Sequence, residues 1–250
     1  MGAFVLPQLD AAWNHALTSV VGVVAAMAAE ARFLGALRPR SDGLFALDDG
    51  ALVCISGIGY PAAAEGALAL VAGGATALMS WGMAGGLDPS LPPGSLVLPD
   101  AVSSPDGCVF PTNREWRDRL SSLLAAAVRG TIVTTPGAVE SAGEKAKLFR
   151  GTGAVAADME SAAIAKVAAD RGLPFVAVRV IVDAANDELP RAVVAASTAG
   201  EINVPRLIRG LLKSPAEVVP LIRLARRYAA AKKSLTAIAR VFRRADPVSA

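Results

Sequence analysis

Histidine is nearly missing from this chain: 250 residues contain one, His15. A Ser/His/Asp or Cys/His nucleophile system would have to run through that residue, with a partner that no surrounding motif supplies. Cysteine is almost as scarce. Cys54 and Cys108 show no CxxC spacing and cannot build a disulfide framework, so they read as inert thiols of a cytosolic protein. No His/Cys cluster exists and the acids are not grouped as ligands, so neither a metal centre nor a cofactor is expected. No Lys or Arg precedes Arg32, so the N-terminus lacks the charged region of a secretory signal.

Charge is sparse as well. With 19% charged and 53% hydrophobic residues, the chain can bury a large core, and disorder is excluded for most of it. The long uncharged run, Gly66 to Leu87, is nominally able to span a bilayer, but its six glycines predict a helix followed by a buried strand. The net charge of +3 conceals an asymmetry: residues 206–250 carry eleven Lys/Arg and two acids, whereas residues 1–205 carry fourteen Lys/Arg and twenty acids. Three segments follow: an N-terminal extension (1–19), an α/β domain (20–205) and a basic, helical C-terminal extension (206–250).

Strand-like apolar runs recur at Val20–Ala25, Ala51–Ser56, Thr76–Trp81, Ser95–Leu98, Thr131–Thr134, Val155–Ala157 and Pro174–Val182. Ala-rich helical stretches and turn signals separate them, and Met27-Ala28-Ala29-Glu30 opens a helix to about Leu37. Pro61 suits the first turn of the helix after the glycine loop Gly57-Ile58-Gly59, and Thr76–Trp81 leads into a second glycine loop, Gly82–Gly86. The pattern predicts a single three-layer α/β/α domain with a central mixed, largely parallel sheet.

Two acids interrupt this apolar background. Asp158-Met159-Glu160 ends one run and Asp183 ends the next, which in a parallel sheet places Glu160 and Asp183 at one rim, where ligands bind. Gly57-Ile58-Gly59-Tyr60-Pro61-Ala62 also satisfies GxGxxA, but no acid occurs between Glu65 and Asp88, so a nicotinamide site is only a weak alternative.

Taken in order, Met27-x-x-Glu30, Ser56-Gly57-Ile58-Gly59, Gly82-x-Ala84-Gly85-Gly86-Leu87, Asp158-Met159-Glu160 and Arg179-x-x-x-Asp183 resemble the nucleoside phosphorylase and nucleosidase superfamily over residues 20–190. The resemblance is closest to methylthioadenosine/S-adenosylhomocysteine nucleosidases. Within the superfamily, VAADMESAA, LPFVAVRVIVDAAND and the basic C-terminus are similar to hopanoid-associated phosphorylases, which act on an adenosyl-linked lipid.

The resemblance implies cleavage of a purine N-ribosyl bond, with Asp183 as general acid to the leaving base. Glu160 would bind the ribose hydroxyls, Met159 would lie under the sugar, and Val139 would contribute backbone groups to the base. Glu30 matches the glutamate with which nucleosidases activate water. Phosphorylases instead bind phosphate through an Arg-bearing loop and a Ser/Thr, where this chain has Glu30 and Met83. Ser56, Gly57, Gly82 and Met83 are therefore candidates for the phosphate or water site, with Arg38 or Arg40 as further phosphate ligands. The expected reaction is phosphorolysis of an adenosyl-linked hopanoid, with phosphate as co-substrate. Hydrolysis of methylthioadenosine or S-adenosylhomocysteine is the enzymatic alternative, and a non-catalytic nucleoside-binding protein the alternative of another class. The resemblance also implies a homo-oligomer.

The segment Val102–Leu120 is shorter than the nucleosidase segment that covers the 5′ substituent, which would leave a wider exit. From Leu221 to Phe242, apolar Leu221, Leu224, Tyr228, Leu235, Ile238 and Phe242 alternate with basic residues at helical spacing. This helix would either lie on the anionic inner membrane surface or dock on the domain with a basic solvent face. No nucleic-acid-binding module accompanies the charge, so a cytoplasmic protein with a nucleoside substrate and no nucleic-acid partner is expected.

Overall fold

The computed structural model describes residues 20–124, 126–188, 197–198, 201–202 and 218–242. The extension 1–19, with His15, and the boundary at 205/206 lie outside them.

Strand formation follows the apolar runs. β1 (Val21–Ala25) is buried along its whole length and is flanked in parallel by β4 (Leu52–Ile55) and the N-terminal half of β5 (Ala77–Gly86). Residues this uniformly apolar are stable only with both faces covered. Gly22 is required there, because a Cβ would lie 2.8 Å from the Ala75 Cβ. Short strands β2 (Arg38–Pro39) and β3 (Phe45–Ala46) extend the edge beyond β4. On the other side of β5 runs β11 (Phe175–Asp183), parallel to it, with β6 (Leu96–Val97) antiparallel beyond. β10 (Ala156–Asp158) is antiparallel to the C-terminal end of β5 and continues the sheet through β9 (Thr131–Thr134), β7 (Ala101–Ser103) and β8 (Val109–Pro111). A two-residue hairpin, β12 (Ser197–Thr198) with β13 (Glu201–Ile202), is separate. The mixed sheet flanked by helices is the expected fold class.

Helices cover both faces. α2 (Tyr60–Ala72), with Pro61 in its first turn, and α5 (Ser161–Arg171) bury Ala63, Ala67, Leu70, Ala162 and Ile164 against Val24, Leu78 and Phe175. The opposite face is covered by α1 (Ala28–Ala31), the 3-10 turn Arg32–Leu34, α3 (Arg114–Leu123) and α6 (Val218–Phe242). α4 (Ala142–Thr152) lies beyond β9, opened by a capping box between Ser141 and Glu144.

The structure departs from the sequence reading in three places. Gly82–Gly86, read as a loop, continues β5, its glycines letting neighbouring chains approach closely. The helix after Met27 ends at Leu34 because Gly35, at φ +136°, turns the chain away. β10 and β11 meet β5 in opposite directions, so Glu160 and Asp183 do not end parallel strands at a common rim. Of the two placements expected for the basic helix, docking on the domain is the one observed: Ala231, Leu235, Ile238 and Ala239 are buried with Val178 and Val180, and Ser234 Oγ donates to the Gly94 carbonyl at 2.8 Å. The run Gly66–Leu87 is the rest of α2 followed by β5, and among the described residues no helix is long and apolar enough to cross a membrane.

Candidate functional site

The site is built along β5. At its Gly82 rung the opposing residue of β11 is Arg179, and at Gly85 it is Asp183. Between Ile181 and Asp183 the register slips, a bulge of the kind that re-aims a side chain at a strand end. β10 pairs Ala156 with Gly86 and Ala157 with Gly85, so its last residue, Asp158, and the chain after it, carrying Glu160, run toward Gly82. Opposite strand directions thereby set Glu160 toward the Gly82 end and Asp183 at the Gly85 end of the same stretch of β5.

Gly82 allows the closest approach. A Cβ there would lie 2.7 Å from Glu30 Oε1 and 3.1 Å from Arg179 Nη1, so these side-chain ends would have to shift to admit it. A Cβ on Gly85 would sit 3.6 Å from both oxygens of Asp183, so the bare strand forms a floor beneath these groups.

Arg179 organises the first end. Its Nε donates to Asp158 Oδ2 at 2.8 Å and its Nη2 to Ser80 Oγ at 2.7 Å, while Nη1 is buried without a partner. Asp158 is held further by Thr134 Oγ1, which donates to Oδ1 at 2.7 Å, and Thr134 in turn accepts from the Ala162 amide. Glu160 occupies the N-cap of α5, but its side chain does not cap the helix. Its Oε1 accepts from the Gly59 amide at 2.8 Å, and its Oε2 lies 4.0 Å from Arg179 Nη2. Burial raises its proton affinity, Asp158 adds to the rise, and Arg179 with the Gly59 amide opposes it.

Glu30, in the single turn of α1, is 3% exposed. Its Oε1 accepts from the Met83 amide at 2.9 Å and its Oε2 from the Met27 amide at 3.3 Å. Trp81 Nε1 donates to its carbonyl at 3.1 Å, so the turn is fastened to β5 at both main chain and side chain. Burial pushes the Glu30 carboxyl up to about 7 against the opposing pull of Arg179, so Glu30 exchanges its proton near neutrality.

Asp183 closes the other end. Its Oδ2 accepts from Lys145 Nζ, which is fully buried and also donates to the carbonyls of Ala184 at 2.9 Å and Asp187 at 3.0 Å. Burial raises the proton affinity of Asp183, and Lys145 opposes that rise without cancelling it.

Of the residues singled out in the sequence, Glu30, Gly82, Met83 and Glu160 gather around Arg179, with half-buried Met159 adjoining Glu160, and Asp183 lies farther along β5 at Gly85. The others are placed differently. The amides of Ser56 and Gly57 donate to the carbonyls of Ala25 and Ala26, and the Met83 amide to Glu30, so the expected cradle of free amides is already engaged. Arg38 and Arg40 are exposed and paired with Asp48 and Asp42. Val139 packs with Leu148 and Phe149, beside a pocket of about 450 Å³ that none of Glu30, Glu160 or Asp183 lines. The sequence reading assigned nothing to Lys145 or Ser80 and gave Arg179 no role. Arg179 had a signal, a cation inside an apolar strand; Lys145 had none, since Glu144-Lys145-Ala146-Lys147 reads as a solvated helix face. Among the described residues no group of His, Cys, Asp and Glu could hold a metal ion.

The fold and site define an α/β protein with buried carboxylates along a glycine-floored strand. The model of the Phosphorylase superfamily matches residues 44–213, and the chain belongs to that superfamily. Similar solved structures include a putative methylthioadenosine nucleosidase of Weissella paramesenteroides, 26% identical over 84% of this chain and 98% of that one, with a TM-score of 0.60. The 5′-methylthioadenosine/S-adenosylhomocysteine nucleosidase of Neisseria meningitidis, solved with methylthio-immucillin-A, is 20% identical over 91% of this chain and 100% of that one, with a TM-score of 0.65. Futalosine hydrolase of Helicobacter pylori is 18% identical over 83% and 97%, with a TM-score of 0.61.

Proposed function

We propose that this protein cleaves the N-ribosyl bond of an adenine nucleoside, with water as the attacking group. The observation that carries the proposal is the excess of buried carboxylate around Gly82: Asp158, Glu160 and Glu30 surround one guanidinium, Arg179. Breaking an N-glycosidic bond develops positive charge on the sugar, which such a cluster stabilises, while an incoming anion is disfavoured. In this reading Glu160 accepts hydrogen bonds from the ribose hydroxyls. Glu30 takes a proton from the water whose oxygen bonds to the anomeric carbon. Asp183 gives its proton to a ring nitrogen of the base as the bond breaks and its electrons leave with adenine. Proton transfer of this kind is worth about 10² to 10⁴ in rate. Adenine as the base accords with the nucleosidases of similar fold.

One observation favours phosphate instead. The buried, unpartnered Arg179 Nη1 could donate to a phosphate oxygen beside Gly82. The two readings separate on products: 5′-substituted adenosines incubated without phosphate should yield adenine and the free sugar. Sugar 1-phosphate formed only with phosphate would establish phosphorolysis.

The lipid-linked adenosyl substrate implied by the sequence resemblance extends this reading. It is supported by the short hairpin β7–β8, which leaves little chain to cover a 5′ substituent, and by α6, which exposes Arg223, Arg226, Lys233 and Arg240 and holds no acid. Such a face suits an anionic lipid surface. Because α6 also supplies core residues, the test replaces those four surface cations with Ser and leaves the helix in place. The variant should lose flotation with anionic vesicles, and recovery equal to the unaltered protein would reject the membrane contact.

A further inference from the structure

Lys145 has no task in the mechanism above, yet it is fully buried, and a buried ammonium is tolerated only when its hydrogens are all satisfied. Its three N–H groups meet three acceptors: Asp183 Oδ2, the Ala184 carbonyl and the Asp187 carbonyl. All three belong to the short stretch that leaves β11. The same stretch is fastened from within by Asp187 Oδ2, which accepts from the Ala184 amide at 2.9 Å, and from α6 by Arg227, 2.5 Å from Asp187 Oδ1. The charged groups facing Asp183 are therefore Lys145 from α4, Asp187 from its own loop and Arg227 from α6, while β5 presents bare Gly85.

Resting on the reading of N-ribosyl cleavage, we propose that Lys145 is a positioning residue: it fixes the Asp183 carboxyl above Gly85 and stabilises the carboxylate formed when Asp183 gives up its proton. With Oδ2 engaged by the ammonium, Oδ1 carries the proton that passes to the base. Lys145 keeps its three hydrogens throughout, and the electrons of the broken C–N bond leave with the base. Lys145 also opposes the burial that raises the proton affinity of Asp183, so removing its charge should leave Asp183 protonated to higher pH.

The test is Lys145→Met, which keeps the aliphatic stem and removes the charge. It should lower kcat about 10- to 100-fold with KM changed less than about threefold. The limb of the kcat/KM profile that Asp183→Asn abolishes should move to higher pH. Lys145→Gln, a neutral donor, gives the same reading if the Met variant does not accumulate as folded protein. A lowered melting temperature with that limb unmoved, or unchanged kcat, would overturn the inference. An infrared titration of the Asp183 carboxyl, identified by its loss in Asp183→Asn, separates this proposal from the reading beneath it. The carboxyl should titrate higher in Lys145→Met even if no nucleoside is cleaved, and an unmoved titration would contradict the inference whatever the activity.

Discussion

At the residue scale, Glu30 links stability to activity. Its carboxyl ionises at an ordinary value of 4.5 in the unfolded chain and at about 7 when folded. The fold thus binds this proton more tightly, and the stabilisation is complete below about 4.5 and lost as pH rises to about 7. The shift corresponds to roughly 3 kcal/mol. Glu30→Gln should therefore flatten the dependence of unfolding free energy on pH between about 5 and 7 and make the protein more stable than the parent at pH 8. Denaturant melts at both ends of that range check this; parallel curves for the two proteins would show that Glu30 is not held neutral by burial. In the proposed mechanism the same substitution removes the base, so adenine release should fall about 100-fold or more. Gly82→Ala should act on the same contact from the other side. Its Cβ would displace Glu30 or Arg179, and a displacement near 1 Å can cost about 10²-fold in turnover. An active Gly82→Ala protein would mean that neither group is positioned for reaction.

At the element scale, β5 and α6 carry more than their sequences announce. β5 reads as a strand followed by a glycine loop because glycine is a turn signal. In the folded chain the same glycines clear space for Glu30, Arg179 and Asp183 along a continuous strand, a purpose that only neighbours distant in sequence reveal. α6 reads equally well as a surface helix, since its apolar stripe would serve a membrane or a core. The stripe is occupied by the core, with Leu235 wholly buried. Leu235→Ala should cost about 2 to 5 kcal/mol by opening a cavity. Thermal unfolding measures this, and a change below about 0.5 kcal/mol, the range of surface substitutions, would show that the helix is not part of the cooperative unit.

At the scale of the whole molecule, the apolar runs made most of the central strands readable, because a strand buried on both faces leaves a continuous hydrophobic signature. The outer strands β2, β3, β7 and β8 left none, being two or three residues long and held by pairing rather than by burial of both faces. Glu160 and Asp183 were legible as acids in apolar surroundings. Their placement along β5 was not, since it depends on β10 running antiparallel to β5, and strand direction leaves no mark on composition. Lys145 was invisible for a related reason: a lysine in a charged helix looks solvated until the fold buries it.

If these carboxylates break an N-ribosyl bond, adenine release measures it directly. The purified protein is incubated with 5′-methylthioadenosine and longer 5′-substituted adenosines beside its Asp183→Asn and Glu160→Gln variants. The expected result is adenine from the unaltered protein, a loss of about 10² or more in kcat for Asp183→Asn with nucleoside binding retained, and weakened binding for Glu160→Gln. No adenine from any adenosyl compound, or near-normal turnover by Asp183→Asn, would contradict it.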